Sequence, residues 1–253
     1  MNKLEFVRFR GLDYACKEAI NTLCTNLTFA GDDNRVIMLT SSQAHEGKSF
    51  LSMNIMRTLS QLGKKVILVD LDLRRSQIGA KYGIRIREGS GNGTTHYLAG
   101  MCSLTDAIYE TSIPGAYMMP IGREVSNSLA LLSTPRLGRM IKELRERYDY
   151  VLVDAPPVGV IIDAAEIAKF CDSAIFAVKY NMISRKELAD AKSQIDRTGC
   201  RVLGAVLNEV DMDTLSSKKY YNKTYYTHYN SDYMKDHEKG KGAGKRPAAK
   251  RSR

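Results

Sequence analysis

Lys48 and three aspartates are the residues of this chain best equipped to do chemistry. Lys48 lies in Gly47-Lys48-Ser49, at the end of the stretch VIMLTSSQAHEGKS from Val36 to Ser49. The apolar run Val36-Ile37-Met38-Leu39 reads as a strand, a polar loop follows it, and a helical pattern begins after Gly47. In a strand–loop–helix context, Gly-Lys-Ser binds phosphate. Gly47 lets the backbone turn tightly and bring its N–H groups to an anion. Lys48 can reach terminal phosphates, and Ser49 can place its hydroxyl on Mg²⁺. The positive end of the helix adds to the attraction. The pattern asks for glycine five positions before Gly47, where this chain has Ser42. Ala44 and His45 stand where small, flexible residues are usual.

Two further stretches end in acids. Val66-Ile67-Leu68-Val69 is a continuous apolar run, as expected of a strand covered on both faces, and Asp70 and Asp72 follow it directly. Ligands bind at that end of an open parallel sheet. On extended backbone a spacing of two points both carboxylates the same way. Paired acids repel unless a cation neutralises them, and a metal-bound phosphate supplies one. Tyr150-Val151-Leu152-Val153-Asp154-Ala155-Pro156-Pro157 repeats this logic. Asp154 is a candidate for the water shell of Mg²⁺, an ion that takes few carboxylates, and Asp163 can contribute nearby.

The elements that position these residues read as an α/β chain. Tyr14 to Phe29 looks helical, with a break at Gly31-Asp32-Asp33-Asn34. Leu51, Ile55, Leu59 and Leu62 share one helical face, and Gly63 stops that helix. Gly89-Ser90-Gly91-Asn92-Gly93 reads as a flexible loop, not a dinucleotide fingerprint, since no strand is expected before it. Leu98 to Tyr109 is expected to be a helix and Ala116 to Ile121 a short strand. Leu129 to Tyr148 contains another helix. Ala174 to Val178 and Val202 to Leu207 are further strands with a helix between. Asn208, at the end of the last one, can contact a nucleotide base or cap a turn.

At 253 residues the chain is expected to be one domain with a tail. Its five cysteines are scattered, which argues for reduced thiols and against a disulfide frame or zinc site. The N-terminus lacks the apolar core of a signal peptide, and no apolar run is long enough to cross a membrane. Of the net charge of +10, residues 216–253 carry +8, from eleven Lys/Arg against three Asp/Glu. After Leu215 there is no Val, Ile, Leu or Phe, so a disordered tail is expected from residue 216. A solvated tail, a membrane surface or an acidic partner would each account for such charge. No recognition motif supports nucleic acid. Six of the fourteen tyrosines lie here: Tyr220, Tyr221, Tyr225, Tyr226, Tyr229 and Tyr233.

The phosphate loop SSQAHEGKS, the acids of VDLDLRR and VLVDAPP, and the C-terminal tyrosine cluster together resemble the bacterial tyrosine kinases. They are most similar to the cytoplasmic autokinases of capsular and exopolysaccharide synthesis, over roughly residues 10 to 233. The resemblance implies a P-loop NTPase fold with a mostly parallel central sheet flanked by helices, related to the partitioning and cell-division-site ATPases. It implies a kinase domain over 1–215 that uses ATP and Mg²⁺. The loop Ser42, Gln43, Ala44, His45, Glu46, Gly47, Lys48, Ser49 and Phe50 would hold the nucleotide, with Asn208 near the base. Ser49, Asp72 and Asp154 would hold Mg²⁺. Asp70 is the favoured orienter or base for the acceptor hydroxyl, and Lys48, Asp70, Asp72 and Asp154 form the catalytic set. The six tail tyrosines would be the phosphorylation sites.

By the same resemblance the chain is cytoplasmic, recruited to the inner face of the membrane, and forms a homo-oligomer. Its implied partners are a transmembrane modulator of a polysaccharide-export system, acting as activator, and a cognate protein-tyrosine phosphatase. Relatives assemble into rings through a Glu and two Args at three-residue spacing on the first helix. Here Glu18 is followed by Asn21 and Cys24, so a weakened ring is expected. Each phosphate adds roughly −1.5 to −2, so six would reverse the sign of the tail. Two other readings are a partitioning-type P-loop ATPase and a weakly catalytic, nucleotide-responsive scaffold. Gln43, where the partitioning ATPases carry an extra lysine, and the tail tyrosines favour the kinase.

Overall fold

The computed structural model describes residues 2–31, 33–160 and 162–210. The tail tyrosines and the expected boundary at 215/216 lie outside them. Met1–Asn208 forms one compact unit. Its elements in order are β1 (Asn2–Phe6), α1 (Tyr14–Phe29), β2 (Val36–Ser41), α2 (Lys48–Gln61), β3 (Val66–Asp70) and α3 (Ile78–Tyr82). They continue with β4 (Ile84–Glu88), α4 (Thr94–Leu98), α5 (Leu104–Ala107), β5 (Tyr109–Glu110), β6 (Ala116–Met119), α6 (Ser128–Leu132) and α7 (Pro135–Arg147). The last are β7 (Tyr150–Asp154), α8 (Asp163–Ala168), β8 (Ser173–Lys179), α9 (Arg185–Asp196) and β9 (Arg201–Asn208).

Among the described residues the strands make one sheet in the order β4-β1-β5-β6-β3-β7-β2-β8-β9. The run from β6 to β9 is parallel throughout, and antiparallel pairs occur where β1 meets β4 and β5 meets β6. Strand side chains alternate between two cores. Val36 and Met38 of β2 and Ile67 and Val69 of β3 pack with α4 to α9, whereas Ile37, Leu39, Val66 and Leu68 pack with α1, α2 and α3. Continuous apolar strands are what two covered faces require.

Helix α2 lies between the sheet and α1, so it is buried nearly all round, with Leu51, Ile55 and Leu59 joined by Met53 and Met56. Leu62 does not belong to that stripe: it caps the helix and is exposed. Helix α1 presents Ile20, Cys24 and Leu27 inward, at i, i+4 and i+7, and Asp13 caps its N-terminus. The expected helix over 98–109 is instead α4, α5 and the two-residue strand β5, broken where Ser103 caps α5 through a box with Asp106. The glycine-rich loop 89–93 is preceded by a strand after all, β4, which lies at the sheet edge antiparallel to β1. No helix among the described residues is long and apolar enough to cross a membrane.

Candidate active site

The loop after β2, the end of β3 and the end of β7 meet at one edge of the sheet. Strand β7 lies between β3 and β2, with Asp70 in register with Asp154 and Leu39 in register with Asp154 on the other side. The chain enters α2 through Gly47 at φ +94°, and no side chain caps that N-terminus. The first N–H groups of this 14-residue helix are therefore left for an outside acceptor.

Lys48 is only 8% exposed. Its Nζ donates to Asp72 Oδ2 at 2.8 Å and lies 3.6 Å from Asp154 Oδ2. Ser49 Oγ donates to Asp154 Oδ2 at 2.7 Å and Ser52 Oγ to Asp154 Oδ1 at 2.9 Å. Asp70 Oδ2 accepts from Ser76 Oγ at 2.5 Å, and the Asp72 N–H reaches Asp70 Oδ1 at 3.3 Å. Three buried carboxylates thus face one ammonium. Burial works to lower the Lys48 pKa, but Asp154 and Asp72 outweigh it and raise it. Burial raises Asp154 against the pull of Lys48 and the two serine hydroxyls. Asp70 is pushed up to about 8, by burial first and Asp154 next, with Ser76 and Lys48 opposing.

This donor set fits a magnesium-bound nucleotide. The surplus carboxylate charge calls for a cation, Ser49 offers a hydroxyl beside Asp154, and Ser42 Oγ in the loop is buried without a hydrogen-bond partner. Among the described residues no three His, Cys, Asp or Glu side chains form a metal cage on their own.

Asn208 and Asp163 have different surroundings. Asn208 Nδ2 donates to the Glu46 carbonyl at 3.1 Å, which puts it against the phosphate loop. Asp163 does not join the acids: it pairs with Arg74 Nε at 3.0 Å and accepts from Ser128 Oγ. A groove of about 370 Å³ is lined by Arg74, Glu124, Val125 and Ser126. Ser52 and Ser76 join the site without a motif to mark them. Ser52 sits three residues after Ser49 on the same helical face, a signal readable from spacing. Ser76 is brought to Asp70 by the turn after β3, and no periodicity announces it.

The local backbone carries two predictions. A Cβ on Gly47 would lie 1.9 Å from Asn208 Nδ2, in a left-handed conformation. Gly47→Ala is expected to destabilise the protein by about 2 kcal/mol, roughly 4–8 °C in Tm. Adding Asn208→Ala should relieve the clash but not the φ penalty, so a thermal melt of the double variant should recover only part of the loss. His45 is exposed and held at φ +68°. His45→Gly is expected to gain about 0.5–1 kcal/mol, the left-handed penalty less the extra chain entropy of glycine, and to raise Tm by a few degrees.

A family model described as an AAA domain matches residues 34–201. Tyrosine-protein kinase CpsD of Streptococcus agalactiae serotype III (strain NEM316) is 35% identical over 195 residues, which are 77% of this chain and 83% of that protein. The kinase domain of the Escherichia coli tyrosine kinase ETK superposes with a TM-score of 0.73 at 26% identity, covering 78% of this chain and 77% of its own. The septum site-determining protein MinD from Pyrococcus horikoshii OT3, complexed with Mg-ADP, superposes with a TM-score of 0.60 at 24% identity. That match covers 73% of this chain and 76% of that one, and it is a likeness of fold. With a phosphate loop, an acid pair and a third acid meeting at one sheet edge, the chain belongs to the bacterial tyrosine-protein kinase family and is a protein-tyrosine kinase on a P-loop α/β fold.

Proposed function

We propose that this kinase is an ATP-dependent autokinase that phosphorylates the tyrosines of its own C-terminal cluster, between subunits, and so regulates capsular or exopolysaccharide synthesis and export. The observation that carries the reading is Lys48, buried between Asp72 and Asp154 below an uncapped helix N-terminus and beside the Asp70 carboxyl. The loop Ser42–Phe50 cradles the ATP phosphates, with Asn208 toward the base. Ser49, Asp72 and Asp154 are the residues that would hold Mg²⁺, which when bound supplies charge neutralisation at the β- and γ-oxygens. Lys48 neutralises the terminal phosphates from the helix side.

The acceptor tyrosine enters through the groove lined by Arg74, Glu124, Val125 and Ser126, whose Arg74 follows Asp72 by two residues in the chain. Asp70 orients its O–H and takes the proton as the tyrosine oxygen bonds to the γ-phosphorus and the bond to the bridging oxygen breaks, releasing ADP. A free tyrosine has a pKa of about 10, so proton removal needs a partner at hydrogen-bond distance. Asp70 accepts that proton as the ionised carboxylate; in the nucleotide-free protein burial raises it to about 8, so it must release its own proton before transfer.

The same reading makes the kinase a homo-oligomer at the inner face of the membrane, activated by a transmembrane modulator and reset by a protein-tyrosine phosphatase. Its first helix supplies no arginine pair for a ring. Cys24 is fully buried against α2, and Asn21 bonds Glu18 of its own helix at 3.2 Å. Any ring is therefore held by other contacts. The test mixes wild type with a size-tagged Lys48→Met chain in Mg²⁺-ATP. Phosphate on the tail of the inactive chain is expected. Labelling confined to the wild-type chain, at a rate independent of concentration, would refute transfer between subunits.

A further inference from the structure

The phosphate loop contains a carboxylate, Glu46, that phosphate binding does not explain. A carboxylate pointing into an anion site would repel its ligand. Glu46 instead is 0% exposed and turned into the protein. Its Oε2 accepts the N–H of Gln43 at 2.7 Å, closing residues 43–46 into a turn. Burial raises its pKa, opposed by the backbone N–H groups of Gln43, Lys179 and Ser42, and its Oε1 has no hydrogen-bond partner.

Other ties fix the same turn. The Glu46 carbonyl accepts from Asn208 Nδ2 at 3.1 Å, and the Gln43 carbonyl accepts from Ser41 Oγ at 2.6 Å. Gln43 Nε2 donates to Glu187 Oε1 at 2.9 Å. Glu187 is itself held by the Ser184 N–H, which donates to its Oε2 at 2.7 Å in the capping box of α9. The residues flanking Glu46, His45 at φ +68° and Gly47 at φ +94°, are both left-handed. Such a conformation in a non-glycine residue persists only where its surroundings impose it.

We infer that Glu46 is a positioning residue: its buried carboxylate clamps the phosphate loop, through the Gln43 N–H, in the shape that receives the nucleotide. The inference rests on the nucleotide-binding reading given above. The Gln43 N–H is then engaged within the protein, and the amides from Ala44 onward are those left for phosphate. The clamp lets the loop be ordered before the nucleotide arrives. Without it, binding must supply that ordering, and affinity falls.

The test is calorimetric titration of the full-length protein with ADP in Mg²⁺, which needs no phosphotyrosine to form. Glu46→Ala is expected to raise Kd at least about tenfold. Glu46→Gln should restore affinity to within about threefold, because an amide oxygen still accepts the Gln43 N–H. Glu187→Ala, at an exposed position, should weaken binding by about two- to fivefold. In the kinase assay Glu46→Ala should raise KM for ATP while kcat at saturation changes less than KM does. Unchanged or tighter ADP binding by Glu46→Ala would overturn the clamp, tighter binding marking the carboxylate as an obstacle to phosphate. Should Glu46→Ala not fold, wild-type affinity in Glu187→Ala or a tenfold loss in Glu46→Gln would overturn it as well. A wild-type chain that binds no ADP would overturn the nucleotide reading and the clamp with it.

Discussion

Lys48→Met is expected to reduce phosphotyrosine formation by at least about a thousandfold, since a preorganised cation at a transferring phosphoryl group stabilises the charge of the transition state directly. The same change leaves Asp70, Asp72 and Asp154 buried with no ammonium between them. Lys48 lies 2.8 Å from one of these carboxylates and 3.6 Å from another. Removing one partner of a buried ion pair typically costs about 3–5 kcal/mol. Here the loss should shrink as pH falls, because Asp70 and Asp154 already have raised pKa values and can take up protons to relieve the repulsion. Thermal melts at pH 8 and pH 6 should show the larger Tm drop at pH 8. A Lys48→Met protein retaining a tenth of wild-type activity would remove the lysine from the mechanism.

Asp70→Asn should separate function from stability in opposite directions. Transfer is expected to fall by about 10²- to 10⁴-fold through loss of the group that accepts the tyrosine proton. The nucleotide-free fold should gain on the order of 1–3 kcal/mol at pH 8, because the carboxylate that ionises there is buried and repelled by Asp154, while the amide carries no charge. The sign follows from linkage. The folded-state pKa is raised to about 8, so from about pH 4 to about pH 8 the folded protein holds a proton that the unfolded chain has released. Wild-type stability from this site therefore falls as pH rises across that window, while the Asn variant has no such proton. The Tm gain should be smallest near pH 4 and fully developed above pH 8. The Asn oxygen can still accept the Asp72 N–H, and the Ser76 hydroxyl can accept from the new amide. A Tm gain that does not change with pH, or a loss, would mean that Asp70 is not the carboxyl that holds the proton.

The parts of this site legible in the sequence were those where local pattern and chemistry coincide. Apolar runs ending in Asp70 and Asp154 read as buried strands because both faces of the sheet are covered, and the acids fall at their C-terminal ends for the same reason. Gly47-Lys48-Ser49 marked the start of α2. What was not legible depends on contacts distant in sequence. Strands β1, β4 and β5 are short elements at one end of the sheet whose pairing is decided by their neighbours, not by alternation within two to five residues. The stretch 98–109 has helical composition, yet the cap at Ser103 and the pairing of Tyr109 with Met118 divide it. Asp163 resembles a fourth acid of the site in sequence. Only the fold shows it bound to Arg74 and Ser128. Cys24 is a different case, since Ile20, Cys24 and Leu27 share a helical stripe that already marks position 24 as core.

Intact-mass spectrometry of the full chain after incubation with Mg²⁺-ATP, with peptide mapping of residues 216–238, tests the central claim most directly. Whole-phosphate mass steps are predicted on Tyr220, Tyr221, Tyr225, Tyr226, Tyr229 or Tyr233, and no steps in Lys48→Met run alongside. Mg²⁺-ATP turnover with an unmodified tail, persisting when a modulator's cytoplasmic segment is added, would contradict an autokinase and favour an ATPase of the partitioning type.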